Sequence, residues 1–541
     1  MKKSFLKTAT LCALACCMAF CGACKKAEEQ PESAPIVLPT PTPAPQAIQG
    51  GELRLPMPAN VQINDPFNVT TEEMLGYYSL IYESLVRLDN TGKLTACLAE
   101  HWESDTAGRV WTFKLRQARW HDDAAERLKA ADVLFSYEKI LSYGDASYFA
   151  YSVSGIESME AVDDTTLKIT MKQPGIPSLF VLDFPIVRAD YDLMPGARAI
   201  GTGPYKVDQI ANTSVSLIVN ENWWKQAPYI QRISFFERGS NDTALASYAA
   251  GQLTLVATSN VAVGKYRAEG ETVVTDIMTD AVELLLINHR NADLADVRVR
   301  QAIAYALDRS GIITNVYMNR AQASDVPIAP DSWLYESKSK VYDYDPVMAA
   351  QLLSETGWTD VDEDGVLDRE GAFTDTFSLR LLVCTGTETV RSTAADMIAE
   401  QLGALGIVVD VVPAQYSLSD PDCEFLQKLN AGEYDIALMG VRFGRNGDIG
   451  ALINATGRLN KGLYTDAAME HLLSNLLRAS DEAAYLSAAS ALQLQFVEEL
   501  PCIVLYYRFN SIIHAAELQG METLREPYIF RNIEKWYMYT N

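Results

Sequence analysis

Histidine is nearly missing from this 541-residue chain, with five in all, at positions 101, 121, 289, 471 and 514. None stands at a metal-ligand spacing from another, so each reads as a structural or surface residue rather than a ligand or a base. His121, within Trp120-His121-Asp122, reads as part of a packed turn leading into a helix. Phosphate loops of the GxxxxGK type, HExxH helices and GxSxG elbows are absent, as is any CxxC pair beyond residue 24. That leaves no nucleophile and base to pair, and a secreted hydrolase is a poor reading. Positive charge is also short: 45 Lys and Arg face 70 Asp and Glu, giving −25, which repels nucleic acid and anionic lipid. No segment of about 20 to 50 residues repeats, which excludes solenoids.

What is present is ordinary globular composition, 48% hydrophobic and 21% charged, in a chain too long for one core. Two or three domains are expected, since single cores stop growing near about 250 to 300 residues. Residues 1–23 carry Lys2, Lys3 and Lys7 ahead of an apolar run too short to span a bilayer, the pattern of a signal peptide. The run ends in Phe20-Cys21-Gly22-Ala23-Cys24, which resembles a bacterial lipobox with Cys21 in place of the usual Leu. Cys24 is therefore the expected lipid-bearing N-terminus. Cleavage there removes three Lys and no acid, so −25 becomes −28, and membrane attachment has to come from the lipid alone. Residues 24–50 hold Pro at 31, 35, 39, 41, 43 and 45, an extended tether. Of nine Cys, only Cys97, Cys384, Cys423 and Cys502 lie beyond it. Their wide spacing gives no zinc pairing; one disulfide is open, with buried free thiols the simpler expectation.

Beyond residue 51, strands and helices alternate. Leu53, Leu55 and Met57 alternate with Arg54 and Pro56, and Leu167, Ile169 and Met171 with Lys168 and Thr170, the period of half-buried strands. Val299, Ala302, Ile303, Ala306 and Leu307 form one helical stripe after Asp296, with Arg298, Arg300 and Arg309 largely off it. Asp345 as N-cap, Pro346 in the first turn and Gly357 past the end punctuate another helix. A helix from about Thr389 to Leu405 leads into the apolar strand at Ile407 to Val412. Helix-then-strand units predict α/β architecture with parallel pairs. Asp360, Asp362, Asp364 and Asp368 have the oxygen spacing of a calcium loop, but Gly371 takes the place of the bidentate Glu, so an acidic turn is the preferred reading.

Five segments occur in order: LDNTGKLTACLAEHWE at 88–103, VWTFKLRQARWHD at 110–122, KAADVLFSYEKI at 129–140, GTGPYKV at 201–207 and DVRVRQAIAYALDR at 296–309. With Asn222-Trp223-Trp224 and Phe530-Arg531-Asn532-Ile533, the set resembles the family 5 extracellular solute-binding proteins of ABC transporters across residues 51–541. Asp123 departs from the Gly that usually follows Trp-His-Asp, and the loop after it is altered. The resemblance implies a bilobal, periplasmic-binding-protein-like α/β fold with mixed sheets, an additional third domain and a hinge between lobes. Residues 51–88, 196–280 and 509–541 would form lobe I, 89–195 the additional domain and 281–508 lobe II. It also implies a monomer without cofactor that captures an oligopeptide or dipeptide and hands it to ABC permease subunits.

A peptide asks for a carboxylate at its ammonium, a cation at its carboxylate and polar edges between. In peptide-binding relatives a loop Asp meets the ammonium, and Asp448 is the closest match, in a Gly-rich stretch with Arg442 and Arg445. Arg442 meets a ligand carboxylate or pairs with Asp448. Of Tyr506 and Tyr507 one faces the cleft and the other the core, by strand alternation, and Asn288 offers a polar contact at a strand end. The alternative is the same fold holding an oligosaccharide, opine or metal chelate. A sugar would call for Trp223, Trp224 or Trp333 in the cleft, and nickel for histidines that are scarce. If Cys24 is acylated, Cys24→Ser abolishes incorporation of a fatty-acid probe and leaves folding unchanged, because the Pro-rich tether separates anchor from body; label that persists removes the lipoprotein reading.

Overall fold

Three sheets carry the chain, and their cores are set by where apolar alternation ends. The computed structural model describes residues 47–539 apart from 60, 70, 123–125, 192, 268, 269, 370–374, 387–389 and 418. The signal peptide, Cys24, most of the tether and Asp123 lie outside the described residues. Glu52–Met57, Arg232–Glu237, Ser214–Val219 and Tyr205–Ala211 form the first sheet, its first pair parallel. Ala99–Ser104, Val110–Leu115, Thr166–Met171 and Ile156–Asp163 form an antiparallel sheet inside the segment 89–195.

The largest sheet runs in the order Leu255–Thr258, Cys502–Ala515, Thr272–Ile287, Ile436–Arg442, Ser378–Thr385, Val408–Gln415, with Ala321–Ala323 also on Cys502–Ala515. Ser378–Thr385 and Val408–Gln415 are parallel, joined by the helix Val390–Gly403, the crossover that parallel pairing requires. The expected caps are present. Asp296 Oδ1 accepts the Arg298 N–H and Asp345 Oδ1 those of Val347 and Met348, each supplying an acceptor for donors that a helix start leaves unmet. Arg300 and Arg309 are buried rather than solvent-facing. Arg300 donates to the carbonyls of Leu294, Ala295, Glu499 and Leu500, and Arg309 pairs with Asp325 at 2.5 Å. Their helical stripe reads as polar only because the sequence does not show those carbonyls.

Thr272–Ile287 and Cys502–Ala515 are unusually long partners, 16 and 14 residues, and run through the whole body. Their ladder is regular from Thr272 to Met278, then breaks: Met278 opposes Phe509 and Val282 opposes Tyr507, so three residues face Arg508 alone. A bulge of this kind bends the strand and takes side chains out of register. One apolar core lies wholly within residues 282–507, while a second gathers residues 53–235 with Leu255, Ile277, Ile512 and 518–536. The sheet inside 89–195 shares that second core instead of enclosing a third. The result is a bilobal α/β fold whose two cores meet at the bulge.

The four described cysteines are free and buried, and burial pushes the Cys97 thiol up to about 12 and Cys384 up to about 11. His121 is structural. Its Nδ1 accepts the Gly201 N–H at 3.1 Å, so the proton sits on Nε2, which donates to the Gly203 carbonyl at 3.0 Å. Burial pulls its pKa down to about 4, and likewise that of His289, which donates to the Pro501 carbonyl.

The unfolded chain takes up these protons near pH 6.5, the folded chain only near 4. Stability is therefore complete above about pH 6.5 and lost as pH falls toward 4, by up to about 3 kcal/mol per histidine. Urea unfolding of His121→Gln from pH 7 to 4.5 should give a less stable protein at pH 7 with a shallower fall on acidification; a slope equal to the parent's would show that His121 does not carry the dependence.

Candidate functional site

The bulge leaves Thr279 and Asp280 outside the ladder. Thr279 Oγ1 donates to the Arg508 carbonyl and accepts the Ala281 N–H, which fixes the detour and turns Asp280 toward the junction of the cores. There Asp280 meets two guanidiniums, Arg445 Nε at 2.7 Å from one oxygen and Arg525 Nη2 at 2.7 Å from the other. Burial pushes the Asp280 carboxyl up, but the two arginines outweigh it and hold its pKa below the ordinary value. Arg525 also reaches Asp331 at 2.8 Å, and Arg445 donates to the Glu526 carbonyl, so the cluster ties the bulge to the loop 443–448 and the C-terminal segment.

A cavity of about 250 Å³ opens beside this cluster. Its wall draws on widely separated stretches: Glu72 and Leu75, Phe180 and Asp183 from the additional segment, Thr279 and Asp280, residues 442–445, and residues 526–528. Arg442, the last residue of Ile436–Arg442, pairs with Glu72 at the head of the helix Glu73–Tyr78, joining the two sides through half-exposed side chains. Glu526 is held differently. Asn510 Nδ2 bonds both its carboxylate oxygens at 2.8 Å, and among the described residues no cation touches it. Burial raises its pKa. Burial also raises that of Asp183, which accepts from Ser84 Oγ at 2.8 Å and lies 3.5 Å from Arg531.

The residues expected from the sequence divide. Arg442 and Arg445 line the cavity. Asp448 is not among its lining residues; Oδ1 accepts the Gly450 N–H at 2.8 Å and starts the turn Gly450–Ile453. Arg442 therefore pairs with Glu72 and not with Asp448. Tyr506 is wholly buried, with its hydroxyl on that of Tyr317, whereas Tyr507 reaches a recess of about 30 Å³ shared with Asp280, Arg445 and Arg525. Asn288 is spent on backbone. Its Nδ2 donates to the Tyr434 carbonyl at 2.8 Å and its Oδ1 accepts the Arg290 N–H, which closes the strand end far from any ligand role. Asp360, Asp362, Asp364 and Asp368 do converge, with ligand atoms within 4.8 Å of one another, while two Asp360 oxygens accept the N–H groups of Asp364 and Gly365 as an acidic turn would. Sequence reasoning missed Glu526, Asp183, Glu72 and Asp280. Only Asp280 left a signal, as one of three acids, with Asp276 and Glu283, in a long and otherwise largely apolar strand.

Comparison with known proteins agrees with the bilobal α/β fold. A profile described as bacterial extracellular solute-binding proteins, family 5, middle, matches residues 93–458. The oligopeptide-binding protein AppA of Bacillus subtilis is 24% identical over 516 residues, 91% of this chain and 92% of its own. The structure of AppA in complex with a nonapeptide superposes with a TM-score of 0.62 at 22% identity, over 92% of this chain and 100% of that one. A nickel ABC transporter structure from Bacillus halodurans superposes with a TM-score of 0.77 at 20% identity, over 89% and 98%. At such identities the structures report the fold.

Removing one member of a buried charge cluster strands the others. Asp280→Ala should lower unfolding stability by about 3 to 5 kcal/mol, because among the described residues Arg445 then lacks a carboxylate partner and Arg525 keeps Asp331 alone. Glu72→Gln, which breaks a half-exposed pair, should cost under about 1 kcal/mol. Chemical denaturation of both variants checks the order, and equal losses would mean the cluster is not the stronger tie.

Proposed function

Because the chain belongs to the bacterial extracellular solute-binding proteins of family 5, binding proteins of ABC transporters and not enzymes, we propose that it is a receptor that closes around a short peptide and delivers it to an ABC importer. It works as a monomer outside the cytoplasmic membrane, tethered by lipid on Cys24. The observation that carries the peptide is Glu526: a buried carboxylate on the cavity wall, held by the Asn510 amide, is the acceptor that a ligand ammonium needs. Glu526 takes the role that the sequence assigned to Asp448. Arg442 and the backbone of residues 442–445 line the same cavity and offer donors there. The Bacillus subtilis relative that spans nine-tenths of the chain is an oligopeptide-binding protein. A volume of about 250 Å³ lies near the low end for small-molecule sites, which suits a short peptide.

Contacts between residues 72–176 and residues 333–482 support closure. Besides Glu72 with Arg442, the Ile176 N–H donates to the Ala479 carbonyl at 2.8 Å, the Trp333 N–H to the Thr91 carbonyl at 3.1 Å, and Lys93 pairs with Glu482. A ligand held from both sides adds free energy only to the closed form and shifts the population toward it. Other solutes fit less well. None of the five histidines lines this cavity, and neither do Trp224 and Trp333.

Calorimetric titration of free and N-acetylated dipeptides and tripeptides against the parent and Glu526→Ala tests the assignment. Acetylation should weaken binding to the parent by about 2 to 5 kcal/mol and matter far less to the variant, since both changes remove one contact. If acetylated and free peptides bind the parent equally, the ammonium is held elsewhere or the ligand is not a peptide.

A further inference from the structure

A second cavity, of about 70 Å³, lies between the first residues of the fold and the additional segment. It shares Leu75, Phe149, Asp183 and Tyr528 with the ligand cavity, so it branches from that cavity. Its volume is several times the ~10 to 15 Å³ that one water needs. Tyr78, Tyr82, Trp223 and Phe530 make its walls apolar.

The charged groups of this pocket are matched, with one exception. Glu83 is satisfied by the indole N–H groups of Trp223 at 3.2 Å and Trp224 at 3.0 Å and by the Thr202 hydroxyl at 3.0 Å. Asp183 has Ser84 and Arg531, and Arg531 also lies over the Tyr528 ring. Lys225, beside the pocket, has Glu534 at 3.4 Å. Arg87 differs: among the described residues its guanidinium makes no hydrogen bond or ion pair, and only its carbonyl is engaged, by Thr95. The strand Val86–Leu88 puts it there, since Val86 and Leu88 are buried in the core and alternation sends Arg87 to the other face. Arg87 acts through space on the charges around it, favouring the ionised forms of Glu83 and Asp183 and opposing those of neighbouring cations. Burial pulls Arg531 down to about 10, helped by Arg445 and Arg87, and burial with Arg87 lowers Lys225.

We propose that this side pocket is a subsite for a carboxylate-bearing arm of the ligand, received by the Arg87 guanidinium while the aromatic walls cover the arm's methylenes. It rests on the peptide-receptor reading and deepens it to a preference for acidic peptides. A guanidinium with free donors in an apolar recess is matched by a planar carboxylate, which takes two parallel N–H groups. The carboxylate belongs to an acidic side chain or to the peptide C-terminus; the two are chemically alike and separable by experiment.

Calorimetric titrations of the full chain with Ala-Glu-Ala, Ala-Gln-Ala, Ala-Glu-Ala-amide and glutarate, against the parent, Arg87→Gln and Arg87→Lys, decide between the outcomes. The parent should prefer the peptide with the relevant carboxylate by about tenfold or more, and Arg87→Gln should lose that preference while binding neutral peptides within about threefold of the parent. Arg87→Lys should keep part of it. A loss on Glu to Gln identifies the side chain as the source; a loss on amidation identifies the C-terminus. If peptides bind but neither carboxylate nor Arg87 matters, the subsite is overturned while the peptide reading stands. Should no peptide bind while glutarate does so only with Arg87 intact, the peptide reading falls and the subsite stands; if nothing binds, both fall. Melting curves establish that the variants fold, and if Arg87→Gln does not, the four ligands against the parent and Arg87→Lys still separate these outcomes.

Discussion

Two strands share one ladder across two cores, and the rest of the molecule is arranged around the place where that ladder cannot stay regular. Each core would bury a continuous apolar strand, but the sheet has to turn between them, and three residues opposite Arg508 take up the turn. Irregular backbone at a buried junction needs polar partners. Thr279 supplies them for the chain itself, and Asp280 draws in Arg445 and Arg525. On the other side of the same break, Glu283 is buried and held by Arg391 at 2.9 Å. The junction is therefore polar on both faces. A crossing built this way keeps the lobes distinct, because buried ion pairs tolerate only one register.

The cavity inherits its chemistry from that junction. Arg445 is already neutralised by Asp280 and Arg442 by Glu72, so the arginines nearest the bulge organise the wall more than they attract a ligand. Two groups stand apart from these pairs: Glu526 on the ligand cavity, held by a neutral amide, and Arg87 in its branch, whose guanidinium has no hydrogen bond among the described residues. A zwitterionic ligand with an acidic arm would complement both, and a neutral sugar neither.

Local features were legible in the sequence wherever physics acts over a few residues. Asp296 and Asp345 cap as expected, alternation at Leu53 to Met57 gives a strand, and the order of five short segments identified the fold. The site was legible only in part. Arg442 and Arg445 do line the cavity, where a Gly-rich loop follows an apolar strand. Glu526, Asp183 and Arg87 were not legible, because each stands in a segment with no motif and becomes a site residue only when distant stretches are folded together. Asp448 and Asn288 are engaged by backbone instead: a polar residue at a loop or strand end is as readily consumed by neighbouring backbone N–H and carbonyl groups as offered to a ligand.

The half-exposed pair of Glu72 and Arg442 bears on timing. Such a bridge contributes little in water and is screened at physiological ionic strength, where the Debye length is about 8 Å. It cannot keep an empty receptor shut for long. In the proposed closure, the lifetime of the closed form is then set largely by the cargo inside it, so an importer that recognises the closed shape would meet mostly loaded receptors.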